Sequence, residues 1–252
     1  MLREAAQWWE KHAEFYQQQC RIPIDILYGP GAPNEDELQL IGPVDGKHVV
    51  EIGCGGAQAA IAFAKRGAVV TGVDIAAAEI RFAHDLAQRE HVHITLLQRD
   101  MADLEPIATS SQDIAFSACA FGYVDDLRSC FREVHRVLKP GGLFVWSAGH
   151  PFNYPLDLGS LVVVRSYFDR GIHVEGETPE PGDAFGSVHR TISDYFELLT
   201  GTGFVVERLL EPDSCKRYAC DPWYGLWDYT PELFEKIPQT IIFKCRANAI
   251  TD

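Results

Sequence analysis

The stretch that decides the fold reads Val49-Val50-Glu51-Ile52-Gly53-Cys54-Gly55-Gly56-Ala57. It is an apolar run that ends in an acidic residue and a cluster of glycines. A helical pattern follows, and then a second apolar run, Val69-Val70-Thr71-Gly72-Val73, which ends at Asp74. This order predicts a β-strand, a tight turn, a helix and a second strand with a carboxylate at its tip. Such a unit builds a nucleoside-binding site at the carboxyl ends of parallel strands.

The glycine turn indicates which nucleoside would bind. Glycine has no Cβ and tolerates positive φ, so a ligand can approach the backbone closely. The dinucleotide fingerprint G-x-G-x-x-G fails, because its third glycine would stand at Gln58. Glu51 would repel a phosphate and attract an ammonium group, whereas Asp74 can accept hydrogen bonds from ribose hydroxyls. The turn therefore favours a nucleoside with a cationic tail and no phosphates, and S-adenosylmethionine fits that description.

The composition limits the protein's size, location and partners. A chain of 252 residues is long enough for one α/β domain with a sizeable core and too short for two. The formal charge of -14 argues against long nucleic acids as partners, because an acidic surface repels phosphate backbones. We expect no membrane span, no signal peptide and no metal site, and hence a cytoplasmic protein. The oligomeric state is left open.

Alternating strand and helix patterns predict an α/β fold with a doubly wound parallel sheet. We expect a single domain over residues 1–252. Lys139-Pro140-Gly141-Gly142 predicts a helix end and a turn before a strand over residues 143–147. The expected parts are an N-terminal helical cap and flap (1–44), a cofactor-binding core (45–149), an acceptor-side insertion (150–190), and a C-terminal helix with strands (191–252).

Four motifs resemble the ordered motifs of class I S-adenosylmethionine-dependent methyltransferases of the small-molecule type, similar to methyltransferase domains 11 and 25. They are Glu51-Ile52-Gly53-Cys54-Gly55-Gly56, Val73-Asp74-Ile75, Arg99-Asp100-Met101 and Leu138-Lys139-Pro140-Gly141-Gly142. The resemblance implies a Rossmann-like, seven-stranded, mostly parallel sheet with an antiparallel C-terminal strand. It also implies an N-terminal helical lid and an insertion after strand five. The family often has a third glycine where this chain has Ala57, and we expect cofactor binding to tolerate the added methyl group.

The resemblance implies that the cofactor is S-adenosylmethionine. It places Glu51, Gly53 and Gly55 at the methionine part, Asp74 at the ribose, Ile75, Asp100 and Met101 at the adenine, and Ser117 at the methionine tail and reacting methyl group. Asp100 has an alternative interpretation as a helix or turn cap.

The acceptor-side residues follow from their positions along the chain. His150 directly follows strand five, so we predict it to be the general base or to orient the acceptor. A structural histidine that caps the strand end is the alternative. Tyr28, in the flap, and Tyr123, just past strand four, are predicted to contact the acceptor, and packing is the alternative for Tyr123. Arg190 is predicted to bind a carboxylate or phosphate of the acceptor, with a plain surface arginine as its alternative.

The predicted function is methyl transfer by in-line displacement to oxygen, nitrogen or carbon of a small molecule. The aromatic N-terminal helix, around Trp8, Phe15 and Tyr16, would cover the cofactor or serve only for packing. One alternative is a non-catalytic S-adenosylmethionine-binding sensor or scaffold. Another is a nicotinamide-dependent oxidoreductase, against which the mismatch at Gln58 and the acid at Glu51 both weigh.

Overall fold

The computed structural model describes residues 2–175, 185–213, 221–223 and 231–248. Its α-helices are α1 (Leu2–Cys20), α2 (Glu35–Leu38), α3 (Gln58–Lys65), α4 (Ala77–Arg89), α5 (Leu127–Val137), α6 (Ile192–Thr200) and α7 (Pro231–Lys236). Its strands are β1 (His48–Ile52), β2 (Val69–Asp74), β3 (Thr95–Gln98), β4 (Gln112–Ala118), β5 (Leu138–Gly149), β6 (Leu156–Asp157), β7 (Val162–Val163), β8 (Ile172–Glu175), β9 (Phe185–Val188), β10 (Phe204–Leu210) and β11 (Thr240–Ala247).

Seven strands form one sheet in the order β10-β11-β5-β4-β1-β2-β3. Strands β3, β2, β1, β4 and β5 pair in parallel, whereas β11 is antiparallel to both β5 and β10. The predicted Rossmann-like α/β fold with an antiparallel C-terminal strand is confirmed. Because β1 lies between β2 and β4, the chain changes direction across the sheet there, which is where α/β sheets bind ligands.

The fifth strand begins earlier than the sequence predicted. The segment over residues 139–142, expected to be a turn, belongs to β5, which begins at Leu138, paired with Gln112 of β4. The pairing register then shifts, so that Leu143 pairs with Ile114. Gly141 absorbs this irregularity with a φ of +73°, a conformation that costs glycine little. The glycines thus distort a strand that the sequence pattern predicted to begin after them.

The core lies on both faces of the sheet. One face packs Phe131, Phe144, Trp146 and Phe243 together, and the rings of Trp146 and Phe243 stack with centroids 4.8 Å apart. The other face packs the flap and α3 against β1 and β4, with Phe63 against Phe116. These buried faces hold the carboxyl ends of β1, β2, β4 and β5 rigidly at one edge.

Two additions cover that edge of the sheet. Helix α1 packs against α4. The segment between β5 and α6 contains the antiparallel strand pairs β6–β7 and β8–β9, and we call it the hairpin segment. The expected insertion after strand five therefore contains short strands. Among the described residues, no helix has the length and apolar character that crossing a membrane requires.

Candidate active site

A cavity of about 560 Å³ lies between the carboxyl edge of the sheet, α1 and the hairpin segment. Nine of the twelve predicted site residues line it: Glu51, Gly53, Gly55, Asp74, Ile75, Met101, Tyr123, His150 and Arg190. The cavity has an acidic end above the glycine turn and an aromatic end under the hairpins. The topology thus brings together residues that are far apart in the sequence.

Three carboxyl groups form the acidic cluster at one end of the cavity: Glu51, Asp74 and Glu79. The Glu51 carboxylate accepts a hydrogen bond from the Ala60 N–H at 2.7 Å. Asp74 accepts from the N–H groups of Gly55 at 2.8 Å and Ala76 at 2.9 Å, so it braces the glycine turn. Within the described part of the chain, no lysine or arginine forms an ion pair with any of the three.

Burial makes this cluster costly to ionise. It raises the pKa of Glu51 to about 8, and the neighbouring charge of Asp74 adds to the effect. Burial likewise raises the pKa of Asp74, and burial together with the Asp74 charge raises the pKa of Glu79 to about 7. A cationic ligand in contact with these groups would offset the cost. The three carboxyl groups therefore fit a ligand with an ammonium group and a positively charged sulfur.

Helix α1 closes over the glycine turn through a residue that the sequence analysis missed. Gln17 donates to the Glu79 carboxylate at 2.9 Å and accepts from the Gln58 amide at 2.6 Å. A Cβ on Gly56 would lie 2.8 Å from the end of the Gln17 side chain, so any other residue there would displace Gln17 from these hydrogen bonds. Gln58, noted only as a mismatch to the dinucleotide fingerprint, is thus part of the closure. An acid at the start of α4 was the one available signal for Glu79.

Three predicted contacts are wrong, because these side chains do not border the cavity. Ser117 is fully buried and donates to the Ile52 carbonyl oxygen at 2.8 Å. Tyr28 is also fully buried and donates to the Glu35 carboxylate at 2.5 Å. Asp100 accepts a hydrogen bond from the Ala102 N–H at 2.9 Å. It therefore caps a turn, as its alternative interpretation predicted.

The other end of the cavity is aromatic. Trp9 and Tyr123 meet edge to face with ring centroids 5.9 Å apart. Trp223 also borders the cavity and donates from its indole nitrogen to the Tyr16 hydroxyl at 3.0 Å. Tyr154 completes the aromatic lining from the hairpin segment. Helix α1 therefore contributes to both ends of the cavity, as a cover and as packing.

The contacts of His150 contradict its prediction as general base. Its Nδ1 accepts the Phe152 N–H at 3.1 Å, so the ring's lone pair is already occupied. Its Nε2 lies 2.8 Å from the Glu211 carboxylate and, in this tautomer, donates to it. Burial lowers the pKa of His150, so the neutral form is favoured. His150 is the structural histidine at the strand end, and a sequence alone does not show which nitrogen is occupied.

Arg190 is buried in the cavity wall rather than exposed. Its Nη2 donates to the carbonyl oxygens of Val124 and of Asp125, the latter at 2.9 Å. These contacts hold the loop after Tyr123 in place. Nη1 is buried and has no hydrogen-bond partner among the described residues. The structure thus places a fixed guanidinium at the aromatic end of the cavity.

Comparison with known proteins agrees with this geometry. Residues 50–146 match a family model described as a methyltransferase domain. A ubiquinone biosynthesis O-methyltransferase of Ruegeria pomeroyi is 28% identical over 229 residues, or 88% of this chain and 85% of that protein. The structure of an S-adenosylmethionine-dependent methyltransferase from Mesorhizobium loti has a TM-score of 0.66 at 25% identity and covers 83% of this chain and 94% of that one. A putative S-adenosylmethionine-dependent methyltransferase from Listeria monocytogenes shares the fold, with a TM-score of 0.67 at 20% identity over 85% of this chain and 96% of that one.

The ordered motifs, the sheet topology and these matches define the class. The protein is an S-adenosylmethionine-dependent methyltransferase, and residues 50–146 are its methyltransferase domain. Its cofactor is S-adenosylmethionine, in agreement with the acidic cluster at the glycine turn.

Proposed function

We propose that the protein transfers a methyl group from S-adenosylmethionine to a hydroxyl oxygen of a small aromatic molecule. The observation that carries this proposal is the single cavity that joins the acidic cluster to an aromatic end. One end suits a cation and the other a flat apolar ring, so the two reactants would meet inside one cavity. Holding them in line and excluding water are the main tasks of a methyltransferase.

The acidic end supplies residues to hold the cofactor. Glu51, Gly53 and Gly55 would contact its methionine part, and Asp74 its ribose. Ile75 and Met101, which also border the cavity, would contact the adenine. When bound, S-adenosylmethionine supplies a methyl group on a positively charged sulfur, which leaves as a neutral thioether. Gln17 would then keep α1 closed over the glycine turn, so that bulk water does not reach the reacting atoms.

The aromatic end supports the choice of acceptor. Trp9, Tyr123, Tyr154 and Trp223 offer ring surfaces against which a planar acceptor can pack. Arg190 adds a positive charge to that wall, which favours an acceptor bearing negative charge or an ionised oxygen. The Ruegeria pomeroyi relative is named as an O-methyltransferase of ubiquinone biosynthesis, which supports oxygen as the methylated atom.

The cytoplasm is the proposed location. Within the described residues, the buried cysteines Cys20, Cys54, Cys130 and Cys245 form no disulfide bond. Unpaired buried thiols are typical of a reducing compartment.

Two measurements test the proposed function. Titration calorimetry should show binding of S-adenosylhomocysteine and none of NAD. Incubation with tritiated S-adenosylmethionine should transfer label to 3,4-dihydroxybenzoate, or to a hydroxyl of a compound in a bacterial metabolite extract. Cofactor binding without any label transfer would favour the alternative of a sensor, and label found on nitrogen or carbon would contradict the choice of oxygen.

A further inference from the structure

A second histidine borders the cavity, and its environment differs from that of His150. His189 directly follows β9 and is buried at 6% exposure. Its ring stacks on that of Tyr154 with centroids 3.8 Å apart and planes 10° apart. Its backbone N–H donates to the Gly171 carbonyl oxygen at 3.0 Å. The ring is therefore held firmly in the wall at the aromatic end of the cavity.

The tautomer of His189 follows from its one ring hydrogen bond. Its Nε2 lies 2.8 Å from the backbone oxygen of Tyr167. A carbonyl oxygen can only accept, so Nε2 must carry a proton. In the neutral ring the lone pair is then on Nδ1. Nδ1 makes no hydrogen bond within the part of the chain that the structure describes. His189 thus keeps the free lone pair that His150 lacks.

The groups around His189 keep it neutral near pH 7. Burial is the largest effect and lowers its pKa below the ordinary 6.5, and Arg170 adds to that effect. The Tyr167 carbonyl oxygen and the carboxylates of Asp194 and Asp169 act in the opposite direction. Arg170 itself is bound to Asp194 by two of its nitrogens, at 2.9 Å, so their charges largely cancel.

We propose that His189 is the general base of the reaction and that its Nδ1 takes the proton from the acceptor's hydroxyl group. The inference rests on the proposed function, in which a hydroxyl oxygen is methylated. The O–H bond breaks, the proton moves to Nδ1, and the oxygen keeps the electron pair that forms its bond to the methyl carbon. The resulting imidazolium afterwards gives its proton to solvent.

The same geometry specifies the class of acceptor. The hydroxyl of a phenol or catechol is much more acidic than that of an alkyl alcohol, so a neutral imidazole takes its proton at a lower free-energy cost. Arg190, the next residue, pairs with no carboxylate among the described ion pairs. Its guanidinium stabilises the negative charge that develops on a phenolic oxygen. A phenolic ring also packs well against Tyr154 and the other aromatic rings of the wall.

The first test concerns the base itself and needs no acceptor. The full-length protein, labelled with nitrogen-15 in its histidines, is titrated by NMR, and the His189 signals are assigned by their absence in His189→Gln. The expected result is a proton on Nε2, a bare Nδ1 at pH near 7.5, and a titration midpoint below 6.5. A proton on Nδ1 in the neutral form would overturn the proposal.

The second test compares pH profiles of methyl transfer to 3,4-dihydroxybenzoate. His189→Gln is the matched variant, because its amide N–H can still donate to Tyr167 while it offers no basic lone pair. In the wild type, kcat/KM should fall about tenfold per pH unit below the pKa of His189. In the variant it should be about 100-fold lower near pH 7.5, and the acid limb should be absent. The Kd of S-adenosylhomocysteine should be unchanged.

The outcomes separate the two proposals. If the wild type methylates the probe and His189→Gln keeps both the rate and the acid limb, the base is wrong and the proposed function stands. If no hydroxyl compound is methylated by the wild type, the proposed function fails, whatever the NMR titration shows. His84→Gln, an exposed site on α4, controls for the loss of a histidine and should keep the wild-type profile.

Discussion

Replacing Glu51 by glutamine tests how much the ionisation of a buried carboxyl group lowers the stability of the cofactor-free protein. Glu51 is buried at 5% exposure, and its carboxylate accepts the Ala60 N–H at 2.7 Å. The oxygen of a glutamine amide can accept the same hydrogen bond. The substitution Glu51→Gln therefore removes the ionisation and leaves the size of the side chain almost unchanged.

The magnitude follows from the pKa of this carboxyl group. Burial raises the pKa of Glu51 from 4.5 to about 8. A carboxyl group whose pKa is higher in the folded than in the unfolded protein binds its proton more tightly in the folded state. Its protonation stabilises the fold fully at a pH below the pKa of the unfolded state, and this stabilisation is lost as the pH rises through the pKa of the folded state. The loss amounts to about 1.4 kcal/mol per pH unit inside this window. From about pH 5.5 to about pH 7.5, the wild type should lose about 2.5 kcal/mol that the variant keeps.

Urea denaturation of the cofactor-free proteins at these two pH values measures the effect. At a single pH, the difference in unfolding free energy between wild type and variant includes any effect of altered packing. The amount by which this difference changes between the two pH values reports the titration of Glu51. Asp74 and Glu79 titrate in both proteins and largely cancel. Glu14→Gln, at an exposed site on α1, is the matched control. A wild-type-to-variant difference that changes by less than about 0.5 kcal/mol between the two pH values would refute the reasoning.

Three further substitutions test other contacts of the site. Gln17→Ala removes the hydrogen bonds that close α1 over the glycine turn. Stopped-flow fluorescence should show that S-adenosylhomocysteine dissociates about fivefold faster, which corresponds to about 1 kcal/mol. Equal dissociation rates in Gln17→Ala and in the exposed control Gln18→Ala would contradict the closure. His150→Gln should lower the free energy of unfolding by about 1 kcal/mol in urea and keep the acid limb of the methyl-transfer profile, whose disappearance would restore His150 as the base. Arg190→Met removes the Nη2 donor that binds two carbonyl oxygens and should cost about 1–3 kcal/mol of unfolding free energy, so an unchanged urea midpoint would argue against its bracing role.

The parts of the site that depend on local sequence were predictable. The glycine turn, Glu51 and Asp74 lie within one strand-turn-helix-strand unit, where short-range spacing fixes which residues meet. Strand β1 and helices α5 and α6 also depend on local signals, namely the hydrophobic period and, for α6, the capping box at Thr191 and Asp194. The class of protein and its cofactor follow from this local information.

The parts that failed depend on which way a side chain points, either at the end of a strand or in the flap that packs against the sheet. Ser117 and Tyr28 lie in the predicted elements, yet their hydroxyls bond to other groups in the core. A pattern places a residue at an edge, but neighbouring strands and the flap decide where its polar atom finds a partner.

The sequence by itself determined the α/β fold, the glycine turn and the cation-friendly acid beside it, since each is encoded by residues close together in the chain. Only the tertiary structure decided which of the two histidines keeps a free lone pair. His150 meets the Phe152 N–H and Glu211, whereas His189 meets a single carbonyl oxygen, that of Tyr167, in the hairpin segment. The chemical capacity of an imidazole depends on the partners of both nitrogens, and the folding of distant segments supplies those partners.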